Sequence, residues 1–353
     1  MRAAWWACVA GAKPPPRARR VARPRGGWPV TLLANFGLLA FLALSAYVLA
    51  IGGDLSFGQQ ALFGIGAYAG ASATVLGGWS LAAALVLAAL VGIAAGFVLR
   101  ALTLRLRALG FSLATLAAAE TVRQALAVVR VQRVGADGEV VGPNGAEGFA
   151  RIRYVFEHGM TPGDVALVVW SVLGLVLVGL VVLERTRFGR ALRMTGEDPA
   201  LAAALGIDVR RAKLVAAAIA GGIAAVGGAL YAHCNTYIEP DNFDLMLGIH
   251  GLSYALIGGL GAPIGPFAGV AVDLGLIEGS RLFHGYRMIA FGGLVAAILV
   301  VRPRGMVDEA LVAKLRGWYA TRIRRVLRAF SLSPQLLSRR LRRRAARRQS
   351  EQI

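Results

Sequence analysis

Uncharged, strongly apolar runs recur along the chain, and their lengths are those of helices that cross a membrane. The clearest single runs cover 31–53, 165–183 and 214–238. Each is close to the roughly 20 residues that one crossing needs. The run at 55–99 is uncharged over 45 residues, so we expect it to fold back on itself, with the bend at Gly77 and Gly78.

Three further apolar segments are interrupted or short, and they cover 108–129, 245–272 and 288–301. Glu120 and Arg123 interrupt the first, and a group of glycines and prolines breaks the second. Irregular backbone at membrane depth occurs where it is buried in protein or lines a cavity. The pattern therefore predicts an all-α, polytopic membrane bundle of about six full crossings. Two re-entrant or broken glycine-rich segments, 56–76 and 249–280, complete it.

Composition agrees with a membrane protein, because 57% of the residues are hydrophobic, 16% are charged and the mean hydropathy is +0.61. A soluble domain of this length needs more surface charge, which excludes a soluble enzyme, a disordered regulator and a fibrous protein. Cys8 and Cys234 are too few for a disulfide framework. The four histidines lack metal-ligand spacing and no Gly-Lys pair occurs, so we expect no metal, cofactor or ATP site in this chain.

The net charge of +20 is concentrated at the two ends, which together hold +19. Residues 1–30 carry seven Lys/Arg and no acid, and 302–353 carry fifteen Lys/Arg against three acids. Basic segments beside a membrane follow the positive-inside rule and contact anionic lipids. Nucleic-acid binding by the basic run at 339–344 is the alternative. No aromatic residues are interleaved with that run, so we expect no nucleic-acid partner.

Loop charge also predicts which segments face the cytoplasm. Segment 184–213 holds seven basic groups against four acidic ones, and 100–107 holds three arginines. We expect both in the cytoplasm, and we expect 131–163 and 234–248 outside, since the latter has three acids and no base. With both termini cytoplasmic, this arrangement requires 56–76 to be a partial or re-entrant passage.

The chain therefore divides into three predicted parts. They are a basic cytoplasmic tail at 1–29, a transmembrane domain at 30–301 and a basic cytoplasmic tail at 302–353. Within the transmembrane domain, we expect an external loop at 131–163 and a cytoplasmic loop at 185–212.

The cytoplasmic loop contains a short predicted helix with both ends marked. Asp198 is a good N-cap, Pro199 suits the first helical position, and Gly206 can take the left-handed turn that ends a helix. The residues between them are small and apolar, and an apolar helix of this length does not stay exposed to water. We expect it to dock, either on its own protein or in a groove of a partner.

A second cluster, of polar residues and glycines, begins the long uncharged run. Asp54 and Ser56 can cap a helix there, and Gln59 lies in its first turn. The glycines that let helices approach closely include Gly58, Gly64 and Gly66. Helix packing and the lining of a transport pathway explain this cluster equally well.

Charge inside a predicted span is costly and usually faces the interior of a bundle. Glu120 and Arg123 are three residues apart, on one helix face, and we expect Glu120 to lie deep in the bundle. Mutual pairing is one interpretation, and the lining of a substrate path is the other. Asp273 and Glu278 raise the same question in the second broken segment.

Four stretches of the sequence together resemble a known family. They are DLSFGQQALFGIGAY at 54–68, FGRALR with the following acidic pair and AALGI at 188–207, GGLG with a Gly-Pro pair at 258–266, and RPRG at 302–305. In this order and spacing they resemble the LivM-type permeases of branched-chain amino acid ABC importers. The resemblance covers roughly 31–306 and implies the fold of an ABC importer permease.

The resemblance also implies partners and a place in the cell. It implies a permease subunit in a bacterial inner (plasma) membrane, paired with a second, LivH-like permease, two cytoplasmic ABC ATPases and a periplasmic or extracellular solute-binding protein. ATP and Mg would be bound by the ATPase subunits. We expect the surface that couples to the ATPase to include Glu197, Asp198, Ala203, Leu205, Gly206 and Ile207. Our candidates for the translocation pathway are Ser56, Gly58, Gln59, Gly64, Gly66, Gly258, Gly259 and Gly261.

Two departures from the family pattern concern the solute. Segment 140–145 keeps two glycines but lacks the usual threonine, and 194–196 replaces the usual apolar and basic residues. Branched-chain or other hydrophobic amino acids are the predicted solutes, and urea or short-chain amides are the alternative. A stand-alone channel or secondary transporter would instead use Glu120, Asp273 or Glu278 as ion sites and would need no ATPase.

Overall fold

The computed structural model describes residues 28–106, 109–134, 140–278, 287–302 and 305–307. Most of the two predicted basic tails, 1–29 and 302–353, lies outside these residues. The described part contains twelve α-helices. In chain order they are α1 (Trp28–Ile51), α2 (Gln59–Val75), α3 (Leu81–Leu102), α4 (Leu109–Val128), α5 (Tyr154–Glu157), α6 (Pro162–Arg185), α7 (Arg187–Glu197), α8 (Pro199–Ala204), α9 (Val209–Asn235), α10 (Leu245–Gly258), α11 (Gly265–Val272) and α12 (Arg287–Val301).

Four of the described helices, α1, α3, α6 and α9, are long and apolar enough to cross a membrane. A π-helical segment, Asp273–Glu278, extends α11, and single 3₁₀ turns lie at Gly145–Glu147 and Pro240–Phe243. The all-α, polytopic fold class is confirmed.

The uncharged run predicted to fold back forms the hairpin of α2 and α3. Its turn contains Gly78 with a φ of +65°, so the predicted bend is confirmed. Helix α9 packs along both helices of the hairpin at points where small residues let backbones touch. A Cβ on Gly66 would lie 2.1 Å from Ala225 O, and one on Gly92 would lie 2.4 Å from Gly221 O. Close helix packing of α2, α3 and α9 therefore builds much of the core.

The second broken segment is also confirmed, as a hairpin of α10 and α11. Helix α10 ends at Gly258, the next residue Gly259 has a φ of +95°, and α11 begins at Gly265. The C-terminal end of the described chain holds this turn, because Val307 N donates to Gly258 O at 2.9 Å.

The two ends of the helix bundle differ in charge. We call the end that carries loop 186–208 the basic face, and the end that carries 236–244 the acidic face. The loop predicted to be external, 131–163, lies at the acidic face, because Phe149 N donates to Ile238 O at 2.7 Å.

This loop contains a small antiparallel sheet, which the sequence did not predict. Its strands are β1 (Arg133–Val134), β2 (Val140–Pro143) and β3 (Phe149–Ala150), in the order β1-β2-β3. Strands of two to four residues are too short to show the alternating pattern that marks a strand in a sequence.

Helix α1 runs from the acidic face to the basic face, in the same direction as α6. Near one end of the pair, Trp170 Nε1 donates to Leu33 O at 3.2 Å. Near the other end, where α6 meets the loop of the basic face, Tyr47 OH donates to Glu184. The first residues of α1 therefore lie at the acidic face.

The described ends of the chain consequently lie at opposite faces. Segment 305–307 holds the turn after α10, and Arg193 of the basic-face loop donates to Leu260 O in the same turn at 3.0 Å. That segment is thus at the basic face, whereas α1 begins at the acidic face. Most of both predicted tails lies outside the described residues, so the prediction that both termini are cytoplasmic stays a prediction.

Helix α2 crosses the bundle, so 56–76 is not re-entrant. Just before α2, Asp54 Oδ1 accepts from Lys213 Nζ at 2.6 Å, and near its end Thr74 Oγ1 lies 3.0 Å from His233 Nε2. Lys213 and His233 lie near opposite ends of α9. A non-helical segment precedes α2. Because α1 begins at the acidic face, the basic loops still lie at one end of the bundle and the acidic loops at the other, and no re-entrant segment is needed.

Candidate functional site

The basic-face loop contains the short helix that the sequence predicted, now α8. The Asp198 carboxylate accepts hydrogen bonds from Ala200 N at 2.9 Å and from Leu201 N at 3.0 Å. Pro199 is the first helical residue, and Gly206 has a φ of +82° just beyond the helix. The cap, the first residue and the left-handed turn are all confirmed.

One side of α8 packs on this chain, and its other side is uncovered. Ala202 is 1% exposed, whereas Leu201 is 56% and Leu205 is 61% exposed. The predicted coupling residues that lie on the exposed surface are Glu197, Asp198, Ala203, Leu205 and Gly206, and Ile207 is half-buried beside them. The loop thus presents a small apolar helix whose shape is fixed by its caps.

The preceding helix α7 is packed directly against the end of α1. A Cβ on Gly196 would lie 2.3 Å from Ile51 O, and one on Gly53 would lie 2.9 Å from the Gly196 Cα. Thr195, in the same turn, is fully buried. Because backbones touch here, a displacement of α7 has to move the end of α1 as well.

An arginine joins α7 to the turn between α10 and α11. Arg193 Nη2 lies 3.1 Å from Glu184 Oε1 and donates to Tyr47 OH at 3.1 Å. Its Nη1 donates to Leu260 O at 3.0 Å, and its Nη2 also reaches Gly261 O at 3.4 Å. We call these residues the Arg193 cluster. It connects the basic-face loop, α1, α6 and the glycine turn through one side chain.

Asp54 has a different role from the predicted cap. The residue before α2 is Gly58, which offers no side-chain cap. Asp54 is 6% exposed and forms ion pairs with Arg100 Nη2 at 2.9 Å and with Lys213 Nζ at 2.6 Å. We call these three residues the Asp54 triad. It ties the non-helical segment before α2 to the ends of α3 and α9.

The polar residues around the start of α2 form hydrogen bonds with one another inside the subunit, although Gln59 Oε1 has no partner within the described residues. Ser56 Oγ accepts from Gly58 N at 3.1 Å and from Gln59 Nε2 at 3.4 Å. Phe57 N donates to Thr115 Oγ1 of α4 at 3.2 Å. Ser56 and Gln59 are each 2% exposed, so these pathway candidates lie between helices of this chain.

The glycine candidates also occupy close helix contacts. A Cβ on Gly64 would lie 3.0 Å from the Phe243 ring, and one on Gly258 would lie 2.0 Å from Gly265 O. Gly66 touches the backbone of α9, as described above. Gly259 and Gly261 belong to the turn that the Arg193 cluster and Val307 hold at the basic face.

Glu120 and Arg123 pair as predicted, but Glu120 is not deep in the bundle. Arg123 Nε donates to Glu120 Oε2 at 3.0 Å and Nη2 to Oε1 at 2.6 Å, while Nη1 donates to Asp241 of the acidic face. Gln124 Nε2 donates to Glu120 Oε1 at 2.9 Å. The Glu120 side chain is 52% exposed, because it lies on the face of α4 that no other part of the described chain covers.

A cavity of about 360 Å³ opens beside Glu120. Its apolar lining comes from α4, α10 and the turn before α10. Its polar lining is Glu120 and Gln60. Gln60 is 1% exposed, and its Oε1 has no hydrogen-bond partner within the described residues. The sequence analysis selected Gln59, whereas the neighbouring Gln60, about 100° further round the helix, reaches the cavity.

Two further titratable residues, Asp273 and His233, are buried and paired within this chain. Tyr254 OH donates to Asp273 Oδ2 at 2.5 Å, and Asp273 is buried. Nothing is described of the Glu278 side chain. His233 is buried against Thr74 of α2, within the packed core. The described residues contain no group of His, Cys, Asp and Glu that can hold a metal ion.

Comparison with known proteins gives one family. The model of the family described as "Branched-chain amino acid transport system / permease component" matches residues 29–302. The high-affinity branched-chain amino acid transport system permease protein LivM of Escherichia coli K12 is 27% identical over 306 residues, which cover 80% of this chain and 70% of LivM.

Two further relatives match over shorter lengths. LivH of the same Escherichia coli system is 30% identical over 42% of this chain and 49% of its own length. The probable permease LivH of Methanocaldococcus jannaschii is 32% identical over 36% of this chain and 41% of its own length. No solved structure matches the chain.

Proposed function

Because the chain belongs to the family of branched-chain amino acid transport permease components, we propose that it is one permease subunit of an ABC importer for branched-chain or other hydrophobic amino acids. The relatives LivM and LivH carry the names of permeases of such a system. Within the importer, this chain would form part of the translocation pathway and would itself catalyse no reaction.

The exposed helix α8 is the observation that carries the proposal. Its ends are fixed by Asp198 and Gly206, its outer surface is apolar, and α7 connects it rigidly to α1. An uncovered apolar helix on a charged loop needs a groove in a partner. The chain has no Gly-Lys pair and therefore no P-loop. We assign α8 to the surface of a separate ATPase subunit, which binds ATP and Mg.

The complete importer would contain four further subunits. They are a second, LivH-like permease, two cytoplasmic ABC ATPases and a solute-binding protein outside the membrane. The similarity of the chain to both LivM and LivH supports a second permease of the same architecture. No nucleic acid takes part, and anionic lipids contact the basic tails.

The charge of the two faces supports one orientation in the bacterial plasma membrane. The basic face, with the loop of α7 and α8, would be cytoplasmic, and the acidic face would be external. In this orientation segment 305–307 would be cytoplasmic and the start of α1 would be external.

Cysteine labelling tests this orientation. In a background with Cys8 and Cys234 replaced by Ser, Asn242→Cys should react with an impermeant thiol reagent from outside. Ala203→Cys on α8 should react only after the membrane is opened; Thr195, which is buried, does not serve for this purpose. Thr31→Cys, at the start of α1, should label like Asn242→Cys. Labelling of Thr31→Cys together with Ala203→Cys would contradict the direction of α1.

The function itself is tested with the purified complex. The chain is co-expressed with the permease, ATPase and solute-binding subunits of its importer and reconstituted in proteoliposomes containing ATP. We expect uptake of radiolabelled L-leucine that requires ATP and is lost when the P-loop lysine of the ATPase is replaced by Ala. Uptake by this chain alone would indicate a stand-alone transporter, and ATP-driven uptake of urea without leucine would indicate the amide alternative.

A further inference from the structure

One arginine of the basic-face loop binds the backbone of the turn between α10 and α11. Arg193, on α7, donates through Nη1 to Leu260 O at 3.0 Å and through Nη2 to Gly261 O at 3.4 Å. Both acceptors are backbone carbonyls between Gly258, where α10 ends, and Gly265, where α11 begins. A guanidinium holds its donors in one rigid plane, so it can bind two segments of a protein at once.

Further partners of Arg193 belong to α1 and α6. Its Nη2 donates to Tyr47 OH at 3.1 Å and to Glu184 Oε1 at 3.1 Å. The Glu184 carboxylate also accepts a hydrogen bond from Tyr47 OH. Glu184 is nearly buried and Tyr47 is fully buried, so the arginine supplies the opposite charge that this carboxylate needs. The side chain of Arg193 therefore lies where α1, α6, α7 and the turn meet.

The same turn is held by the end of the described chain. Met306 N donates to Ile257 O at 2.9 Å. The backbones of Gly305 and Gly259 are so close that a Cβ on Gly305 would overlap with the Gly259 Cα. Because closely packed backbones do not deform continuously, the turn and segment 305–307 have to move together.

The α10–α11 hairpin extends from this turn into the bundle with its two helices in backbone contact. A Cβ on Gly258 would overlap with Gly265 O, and a Cβ on Gly269 would overlap with Tyr254 O. Helix α10 begins at the acidic face, where the Asp244 carboxylate accepts from Leu247 N at 3.0 Å. A shift of the turn at the basic face therefore moves an element whose other end lies at the acidic face.

We propose that Arg193 is a positioning residue for transport, through which the position of α7 and α8 sets the position of the α10–α11 hairpin. This assignment rests on the proposed function, in which an ATPase subunit binds α8. A movement of the ATPase would displace α7, and the hydrogen bonds of Arg193 would carry that displacement to the turn and along α10. Helix α1 follows α7 through backbone contact between Gly53 and Gly196, which a change at Arg193 leaves in place.

Two variants separate this link from the stability of the Arg193 cluster. Arg193→Met alone would leave the Glu184 carboxylate unpaired and nearly buried, which destabilises a protein by itself. The test variant is therefore the double substitution Glu184→Gln with Arg193→Met, and the matched control is Glu184→Gln alone. In the control, Arg193 keeps its hydrogen bonds to the turn, and the new amide oxygen can accept from Arg193 and Tyr47 as the carboxylate did.

Two measurements on the complete importer test the assignment. The first is leucine uptake per ATP hydrolysed in proteoliposomes, together with the recovery and the unfolding midpoint of each complex. The second is made at the acidic-face end of α10, where Met246 is exposed. In a background with Cys8 and Cys234 replaced by Ser, the rate at which Met246→Cys reacts with a thiol reagent is measured for the detergent-purified complex, with and without ATP. The ATPases bind the opposite face, so they do not cover this position.

We expect the double variant to assemble and to hydrolyse ATP like the control, with leucine uptake per ATP about tenfold lower, as for the loss of hydrogen bonds to a charged group. ATP should change the labelling rate of Met246→Cys in the parent and in the control, but not in the double variant. The assignment is wrong if the double variant and the control transport equally per ATP. It is also wrong if the labelling response to ATP persists in the double variant or is absent from the parent. Failure of the double variant to assemble would make Arg193 a structural residue only. If the parent complex shows no ATP-driven leucine uptake, the proposed function itself is wrong.

Discussion

The Asp54 triad and the Glu120–Arg123 pair both bring opposite charges together, but they do so in different surroundings. In the triad, Asp54 and Arg100 are 6% and 4% exposed, whereas Glu120 is 52% exposed. Buried charges need their partners, because a single unpaired charge is costly there. An exposed pair can exchange partners. The triad is therefore suited to holding the fold, and the α4 pair to contacting something outside the chain.

The largest expected effect is on stability, and it tests the buried Asp54 triad. Asp54→Asn leaves Arg100 and Lys213 without their carboxylate, and we expect a loss of about 3–5 kcal/mol in the free energy of unfolding. Thermal unfolding of the purified complex in mild detergent measures it. Glu157→Gln, an exposed acid of α5, is the control. Equal stability of Asp54→Asn and the control would show that the triad does not hold the fold.

The next prediction tests whether the uncovered face of α4 differs from a face that meets lipid. Leu175 is 73% exposed near the middle of α6, and the next exposed large residues along the helix are Val178 and Val182. Leu175→Arg should impair membrane insertion by about 3 kcal/mol, whereas Ala117→Arg on α4 should insert normally and prevent recovery of the second permease. The measurement is the yield of inserted protein and of complex. Failure of both variants to insert would mean that α4 also faces lipid.

A smaller effect, on the coupling of transport to ATP hydrolysis, is expected from a change at α8. The ends of this helix are fixed by its caps. Gly206→Val places a branched side chain at a φ of +82°, which costs about 1–2 kcal/mol. There is open space around Gly206, so the cost is backbone strain without a clash. We expect normal insertion with less solute transported per ATP hydrolysed. Gly179→Val, at an open helical position of α6, is the control, and equal coupling in both variants would contradict the role of α8.

The N-cap of α8 allows a milder test of the same surface. Asp198→Ala removes the acceptor for Ala200 N and Leu201 N, and the loss of an N-cap costs about 1 kcal/mol. We expect a modest fall in coupling, measured as above, and recovery in Asp198→Asn, which can accept the same hydrogen bonds. An equal fall in both variants would assign the effect to the charge and not to the cap.

The features that the sequence predicted correctly are those set by neighbouring residues. Asp198, Pro199 and Gly206 fix α8 because a cap acts over three or four residues. The bend at Gly78 and the break after Gly258 have the same local origin. The number and length of the apolar runs gave the bundle, because hydropathy over about 20 residues reports a crossing directly.

The features that the sequence did not predict depend on contacts between distant segments. Asp54 was expected to cap a helix, since its partners Arg100 and Lys213 are far away in the chain. The direction of α1 was inferred from tail charge, whereas contacts with α6 decide it. Glu120 was placed in the interior because a charge avoids lipid, but a subunit interface satisfies that requirement equally well.

The smallest expected effect on stability completes the comparison with the triad. Glu120→Gln removes a charge whose partner Arg123 retains Asp241 and water, so we expect an unfolding midpoint equal to that of the parent. Asp54→Asn, examined in the same preparation, should unfold at a clearly lower temperature. Equal destabilisation by both substitutions would make Glu120 a structural charge like Asp54.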